Sequence, residues 1–260
     1  MEHKIVLPEF DAPIIVIIFL ELNNKNKLIN NSKKIITIIG ASNSGKTIFS
    51  SLISKIIKNK KILLIDFDFL NNNISTIFGV NKLPQKNNNK INVTNNIKKL
   101  IIKINNKLHL ICGLETIFNE EQINKNKIKE VLDELKKEYD FIIIDTNTED
   151  YKNNLKIILE ESTECIMLVE PNLIGIKNTK KILEKYINKW KINKEKIFII
   201  FNKINKYSIS ENLLNKLFID FNILGKIKNN IKHNLIINNN IKIINKKIKK
   251  EYLKIINKIN

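Results

Sequence analysis

The chain contains no arginine: all 45 of its basic residues are lysine. Without guanidinium groups it cannot make the planar, two-pronged contacts that read guanine edges or clamp phosphates, and it carries no arginine finger for a transferring phosphoryl group. Transition-state charge would have to be met by lysine, a metal ion or a partner. Cysteine is nearly absent, and the two present, Cys112 and Cys165, fall in apolar, strand-like runs without metal-ligand spacing. They read as buried thiols of a reducing compartment rather than a disulfide or zinc framework. The three histidines, His3, His109 and His233, are scattered and form no constellation. Long hydrophobic runs are missing too. The apolar stretch at residues 14–20 is too short to span a bilayer and lacks a basic leader and a small-residue cleavage site, so the expectation is a cytoplasmic protein without a transmembrane helix.

Acidic residues number only 26, which leaves a formal charge of +19. Such a charge invites a nucleic-acid or anionic-membrane reading. Asparagine and isoleucine are also abundant, as in an A+T-rich coding sequence, so compositional bias accounts for much of the lysine.

Glycine occurs six times, and two of the six stand in register in Gly40-Ala41-Ser42-Asn43-Ser44-Gly45-Lys46-Thr47. This is a complete G-x-x-x-x-G-K-[ST] phosphate loop, and it follows an apolar run at 35–39 and opens an apolar segment at 48–57. Glycines let the backbone turn so that successive N–H groups face a polyphosphate, and the following helix adds the positive end of its dipole. Lys46 is placed to reach the β- and γ-phosphates and Thr47 to put its hydroxyl on Mg²⁺, with Ile48 continuing into the helix. ATP and Mg²⁺ are the expected cofactors.

From Lys34 onward, short apolar runs alternate with helical patterns, which predicts an α/β fold: a doubly wound, mainly parallel sheet with helices on both faces. The strand-like runs are 35–39, 62–65, 108–112, 141–144, 165–169, 197–201 and 223–227. The clearest helix is 127–137, where Ile128, Val131, Leu132 and Leu135 follow helical spacing. Residues 34–260 read as one P-loop domain, and 1–33 as an extension with an added strand near 13–20. The polar stretch 84–92 reads as an exposed loop.

Two constellations lie downstream of the loop. Ile65-Asp66-Phe67-Asp68 ends a strand with two carboxylates that alternation sends to one face, where they can share a metal or a water. Tyr139-Asp140-Phe141-Ile142-Ile143-Ile144-Asp145-Thr146 reads as a buried strand ending in an acid that can hold Mg²⁺ through water.

Those segments, with Ile77-Phe78-Gly79-Val80, Val169-Glu170-Pro171-Asn172-Leu173 and Ile200-Phe201-Asn202-Lys203, occur in an order that resembles the MinD/ParA group of P-loop ATPases. The resemblance covers residues from about 34 to the C-terminus. It implies ATP bound at the C-terminal edge of the sheet and slow, partner-stimulated hydrolysis that switches a homodimer on and off a surface or cargo protein. It also implies that Lys46 and Asp68 serve catalysis, that Thr47, Asp66 and Asp145 surround the metal, and that Asn202 reads the adenine edge. Relatives usually carry a second lysine where this chain has Ala41, and a Pro or Gly in the segment that here reads Thr146-Asn147-Thr148-Glu149. The CpaE/TadZ-like branch is similar in tolerating a changed phosphate loop.

Asn202-Lys203-Ile204-Asn205 approaches the N-K-x-D guanine motif, but Asn205 offers a donor where guanine requires an acceptor, so ATP is favoured over GTP. At the C-terminus, Ile241, Ile244, Ile248, Tyr252, Ile255 and Ile259 keep helical spacing among many lysines. That pattern fits the last helix of the fold packed on the sheet, an amphipathic helix on an anionic membrane, or a lysine face for nonspecific DNA. The functional readings are a switch that positions a cellular assembly, a DNA-binding partition ATPase, or a weakly hydrolysing, nucleotide-bound scaffold.

Overall fold

Each β-branched run of this chain is apolar on both faces, so a strand made from it is stable only with helices packed above and below. The computed structural model describes residues 33–68, 73–80, 97–112, 125–147, 154–230, 233, 244 and 246–259. Eight strands form one sheet in the order β3-β4-β2-β5-β1-β6-β7-β8. They are β1 (Lys34–Gly40), β2 (Ile62–Phe67), β3 (Ile101–Lys103), β4 (Leu108–Ile111), β5 (Phe141–Thr146), β6 (Glu164–Val169), β7 (Ile197–Ile204) and β8 (Asn222–Lys228). All pairings are parallel except that of β3 with β4. The seven expected strands are present. β3 was not anticipated: three residues in a lysine-, asparagine- and isoleucine-rich context give no alternation long enough to see. The stretches 13–20 and 84–92 lie outside the described residues.

Among the described residues the helices that cover the sheet include α1 (Lys46–Ile56), α2 (Asn73–Phe78), α3 (Lys125–Glu138), α4 (Asn154–Glu161), α5 (Leu173–Glu184), α6 (Glu211–Leu217) and α7 (Lys246–Ile259). Alternation along the strands divides the core between two faces. Ile36 and Ile38 of β1, Leu64 of β2 and Ile143 of β5 pack with Phe49, Leu52 and Ile53 of α1. Ile35, Leu63 and Ile142 pack on the other face with Ile128, Val131, Leu132 and Leu135, the apolar stripe of α3. Further along that face Met167, Ile199 and Phe201 meet Leu155 and Leu159 of α4 and Leu183 of α5. Cys112 and Cys165 are both buried and in no disulfide, as expected.

The C-terminal helix α7 is part of this core. Ile248, Tyr252, Ile255, Ile256 and Ile259 are buried, and the helix packs on β8 and α1. Tyr252 stacks against Phe49 of α1 at 5.6 Å between ring centroids. Gly225 of β8 admits the close approach, because a Cβ there would lie 3.2 Å from Ile255 Cγ1. The helix is tied at its middle and its C-terminal end: Glu251 Oε1 accepts the Lys228 N–H at 2.8 Å, and the Lys34 ammonium donates to the carbonyl of Ile259 while pairing with Glu164. The apolar face of α7 is therefore occupied by the protein itself, and its exposed lysines, Lys246, Lys247, Lys250, Lys254 and Lys258, form the outer face. Among the described residues no helix is long and apolar enough to cross a membrane.

Tyr252→Ala is expected to lower stability by about 3–5 kcal/mol in urea unfolding, since it empties a fully buried ring site. Lys254→Ala on the outer face should stay within about 0.5 kcal/mol of wild type. Equal, small effects would show that α7 is not docked.

Candidate functional site

The strand order reverses direction about β1, which lies between β5 and β6, and a crevice opens outside the C-terminal end of β1. The phosphate loop fills that position. It leaves β1 at Gly40 and enters α1 at Lys46, with positive φ at Gly40 (153°), Asn43 (61°) and Gly45 (92°). Gly45 precedes α1 without a side-chain cap, and the first turn of the helix holds no acid. The first N–H groups of α1 thus form a positive helix end with no carboxylate of the helix's own first turn upon it.

The carbonyls of the loop are held from outside. Lys46 Nζ donates to the carbonyls of Gly40 and Ala41, both at 3.1 Å. Asn202 Nδ2, from β7, donates to the carbonyl of Ser44 at 2.7 Å, and Lys203 Nζ donates to that of Asn43. A Cβ on Gly45 would lie 2.6 Å from Asn202 Nδ2, so only glycine fits between the loop and β7. Ser42 and Asn43 are exposed, Ser44 is buried, and Ile48 packs at the edge of the α1-side core.

Three carboxylates were expected here. Asp145 and Asp66 are register partners on β5 and β2, on the face that carries α1. Asp145 is wholly buried, and neither carboxylate oxygen has a hydrogen-bond partner within bonding distance. Burial first, and then the charge of Asp66, push its pKa up to about 7, against the pull of the Thr47 hydroxyl, the Lys46 ammonium and the Ser50 hydroxyl. Burial likewise lowers the pKa of Lys46, and Asp145 and then Asp68 partly restore it. Asp66 is also buried, but its oxygens already accept backbone N–H groups, Oδ1 from Asp68 and Oδ2 from Ile74, each at 3.1 Å. It joins the end of β2 to the first turn of α2. Asp68 lies beyond the end of β2, half-buried, and accepts a 3.4 Å hydrogen bond from Asn147 Nδ2 just past β5. Asp66 thus has Asp145 as its register neighbour across the sheet, while Asp68 follows just past the end of β2 with its N–H on Asp66.

An orphaned buried carboxylate beside a loop threonine suits a hydrated divalent cation, which would supply the missing partner. Among the described residues no three acidic, histidine or cysteine side chains gather into a metal cage. Mg²⁺ in general binds through few protein ligands, water and phosphate. Asn202, expected at an adenine edge, has its amide nitrogen on the phosphate loop. Lys203 and Asn147 were missed as site residues. The Asn202-Lys203 pair was visible in the sequence, but nothing there shows that both side chains reach one loop. Asn205, the position that would read guanine, is folded into its own turn: its Oδ1 accepts from Tyr207 N at 2.8 Å, and its Nδ2 donates to the Lys203 carbonyl at 3.3 Å.

Comparison with known proteins agrees with this geometry. A family model described as an AAA domain matches residues 33–200. A solved structure described as a plasmid partition protein, from Borrelia burgdorferi B31 and bound to AMPPNP, is 28% identical, with 87% of this chain and 98% of that one covered and a TM-score of 0.68. The MinC:MinD cell division complex of Aquifex aeolicus is 18% identical, over 87% and 95% of the two chains, with a TM-score of 0.71. MinD of Pyrococcus horikoshii, complexed with Mg-ADP, is 19% identical, over 87% and 96%, with a TM-score of 0.65. Among curated proteins no sequence matches.

Gly45→Ala places a methyl group against the Asn202 amide at a φ that alanine avoids. The expected result is a loss of about 1–3 kcal/mol in denaturant unfolding, together with weaker binding of a fluorescent ATP analogue. Wild-type behaviour in both assays would mean that the loop is not confined by β7.

Proposed function

The chain belongs to the AAA domain family as a P-loop ATPase of the MinD/ParA type, and on that premise we propose that it binds Mg-ATP in the β1–α1 loop and hydrolyses it slowly as a dimerisation switch. The observation that carries this reading is the pairing of a phosphate loop held open from outside with an orphaned, buried Asp145 beside Thr47. Lys46 and the N–H groups at the start of α1 hold the β- and γ-phosphates. Thr47 and Asp145 would hold Mg²⁺, which when bound would supply electrostatic stabilisation of the transferring phosphoryl group, and Asp66 braces that site from β2. Asp68, half-exposed and oriented by Asn147, is the group placed to orient the attacking water.

ATP rather than GTP fits because Asn205 is bound within its own turn. With Ala41 in the loop and no arginine in the chain, acceleration falls to a partner, and turnover by the protein alone is slow. The switch acts in the cytoplasm, as a homodimer with an activating or cargo protein.

A second reading, a partition ATPase acting on nonspecific DNA, is favoured by the exposed lysine row of α7 and by the partition relative. The same lysines could meet an anionic membrane only through charge, because the apolar face of α7 is already buried.

Lys46→Ala should abolish ATP binding, read by titration of a fluorescent analogue; unchanged affinity would remove the assignment. Asp145→Asn should keep binding in EDTA and lose the gain in affinity that Mg²⁺ gives wild type. Light scattering with ATP, with ADP and without nucleotide tests the switch. Dimer only with ATP supports it, and one mass in all three states favours the constitutive, weakly hydrolysing scaffold.

A further inference from the structure

On a regular strand two successive side chains point to opposite faces of the sheet. Asn202 and Lys203 do not: both donate to the phosphate loop, to consecutive carbonyls. The backbone shows how. Register between β7 and β8 shifts between Phe201 and Ile204, and Lys203 adopts a φ of 61°, a left-handed conformation that a lysine rarely takes. This break turns the second side chain toward the face that the first already uses.

The consequence follows from peptide geometry. In a trans peptide the C=O and the next N–H point in opposite directions. Holding the Ser44 carbonyl on Asn202 turns the Gly45 N–H the opposite way, and holding the Asn43 carbonyl on Lys203 turns the Ser44 N–H away from it and onto the Ala41 carbonyl at 3.2 Å, which closes the turn that shapes the loop. Asn43 is itself left-handed, exposed and not a glycine, so its peptide is the one in the loop that most needs an external tie. The Lys203 stem runs along the loop, with Cε 3.9 Å from where a Cβ on Gly45 would stand.

We propose that Lys203 is a positioning residue for the phosphate site: through the Asn43 carbonyl it sets the orientation of the loop peptides that receive polyphosphate. This rests on the reading of that loop as the ATP site. It acts on the phosphate cradle rather than on the base, and so applies equally to any polyphosphate.

The test compares wild type, Lys203→Met, Lys203→Arg and Lys46→Ala for binding of a fluorescent ATP analogue and of inorganic tripolyphosphate, at fixed Mg²⁺. The loss of one charge-assisted hydrogen bond should weaken both ligands about tenfold in Lys203→Met. Lys203→Arg, which keeps a cationic donor, should stay within about threefold. An unchanged tripolyphosphate affinity beside a weakened ATP affinity would put Lys203 at the base or ribose and overturn the proposal, as would equal losses in the Met and Arg variants. Should Lys203→Met fail to fold, as judged by its melting curve, Lys203→Gln carries the same comparison. Binding by wild type that is lost in Lys46→Ala and retained in Lys203→Met keeps the ATP site and removes only the role of Lys203. Absence of wild-type binding overturns both.

Discussion

A loop that presents N–H groups to a polyphosphate must turn its carbonyls the other way, and each carbonyl so turned needs a donor behind it. That requirement organises the functional edge of this protein. Donors come from two places: Lys46 at the head of α1 serves Gly40 and Ala41, and the Asn202-Lys203 pair at the end of β7 serves Ser44 and Asn43. The sheet order makes this possible. β7 stands two places from β1, separated by β6, and it reaches the loop because its last residues project past the end of the shorter β6. The site is therefore a joint product of the β1–α1 unit and the second half of the fold, and it exists only when the whole sheet is assembled.

The electrostatics point the same way. Asp66 and Asp145 are brought together by a single β2–β5 register, and the two buried acids raise one another's energy. Asp66 is compensated by backbone N–H groups from two turns, whereas Asp145 is compensated mainly by the nearby Lys46 ammonium and the loop hydroxyls. A buried charge left short of partners is destabilising in the protein alone. A divalent cation at that carboxylate, as proposed above, would offset that penalty.

Net charge is a weaker guide. Of the lysines on α7 the exposed ones face outward, while its apolar stripe packs on Phe49 and β8. A positive total of +19 belongs to a protein whose every surface carries lysine; the packing of α7 removes apolar insertion of that helix and leaves contact through charge alone.

Local pattern alone determined the phosphate loop, seven of the eight strands, the stripe of α3 and the acid at the end of β5, because each is a matter of spacing within about ten residues. Tertiary structure decided the rest. It placed Asp145 beside Asp66, since neighbours across a parallel sheet are set by register. It docked α7, since a helix with one apolar face accepts a protein core or a lipid surface equally well until the core is built. It also turned Lys203 onto the phosphate loop, because a left-handed residue at the end of β7 is invisible in a lysine and becomes evident only where two strands fall out of step.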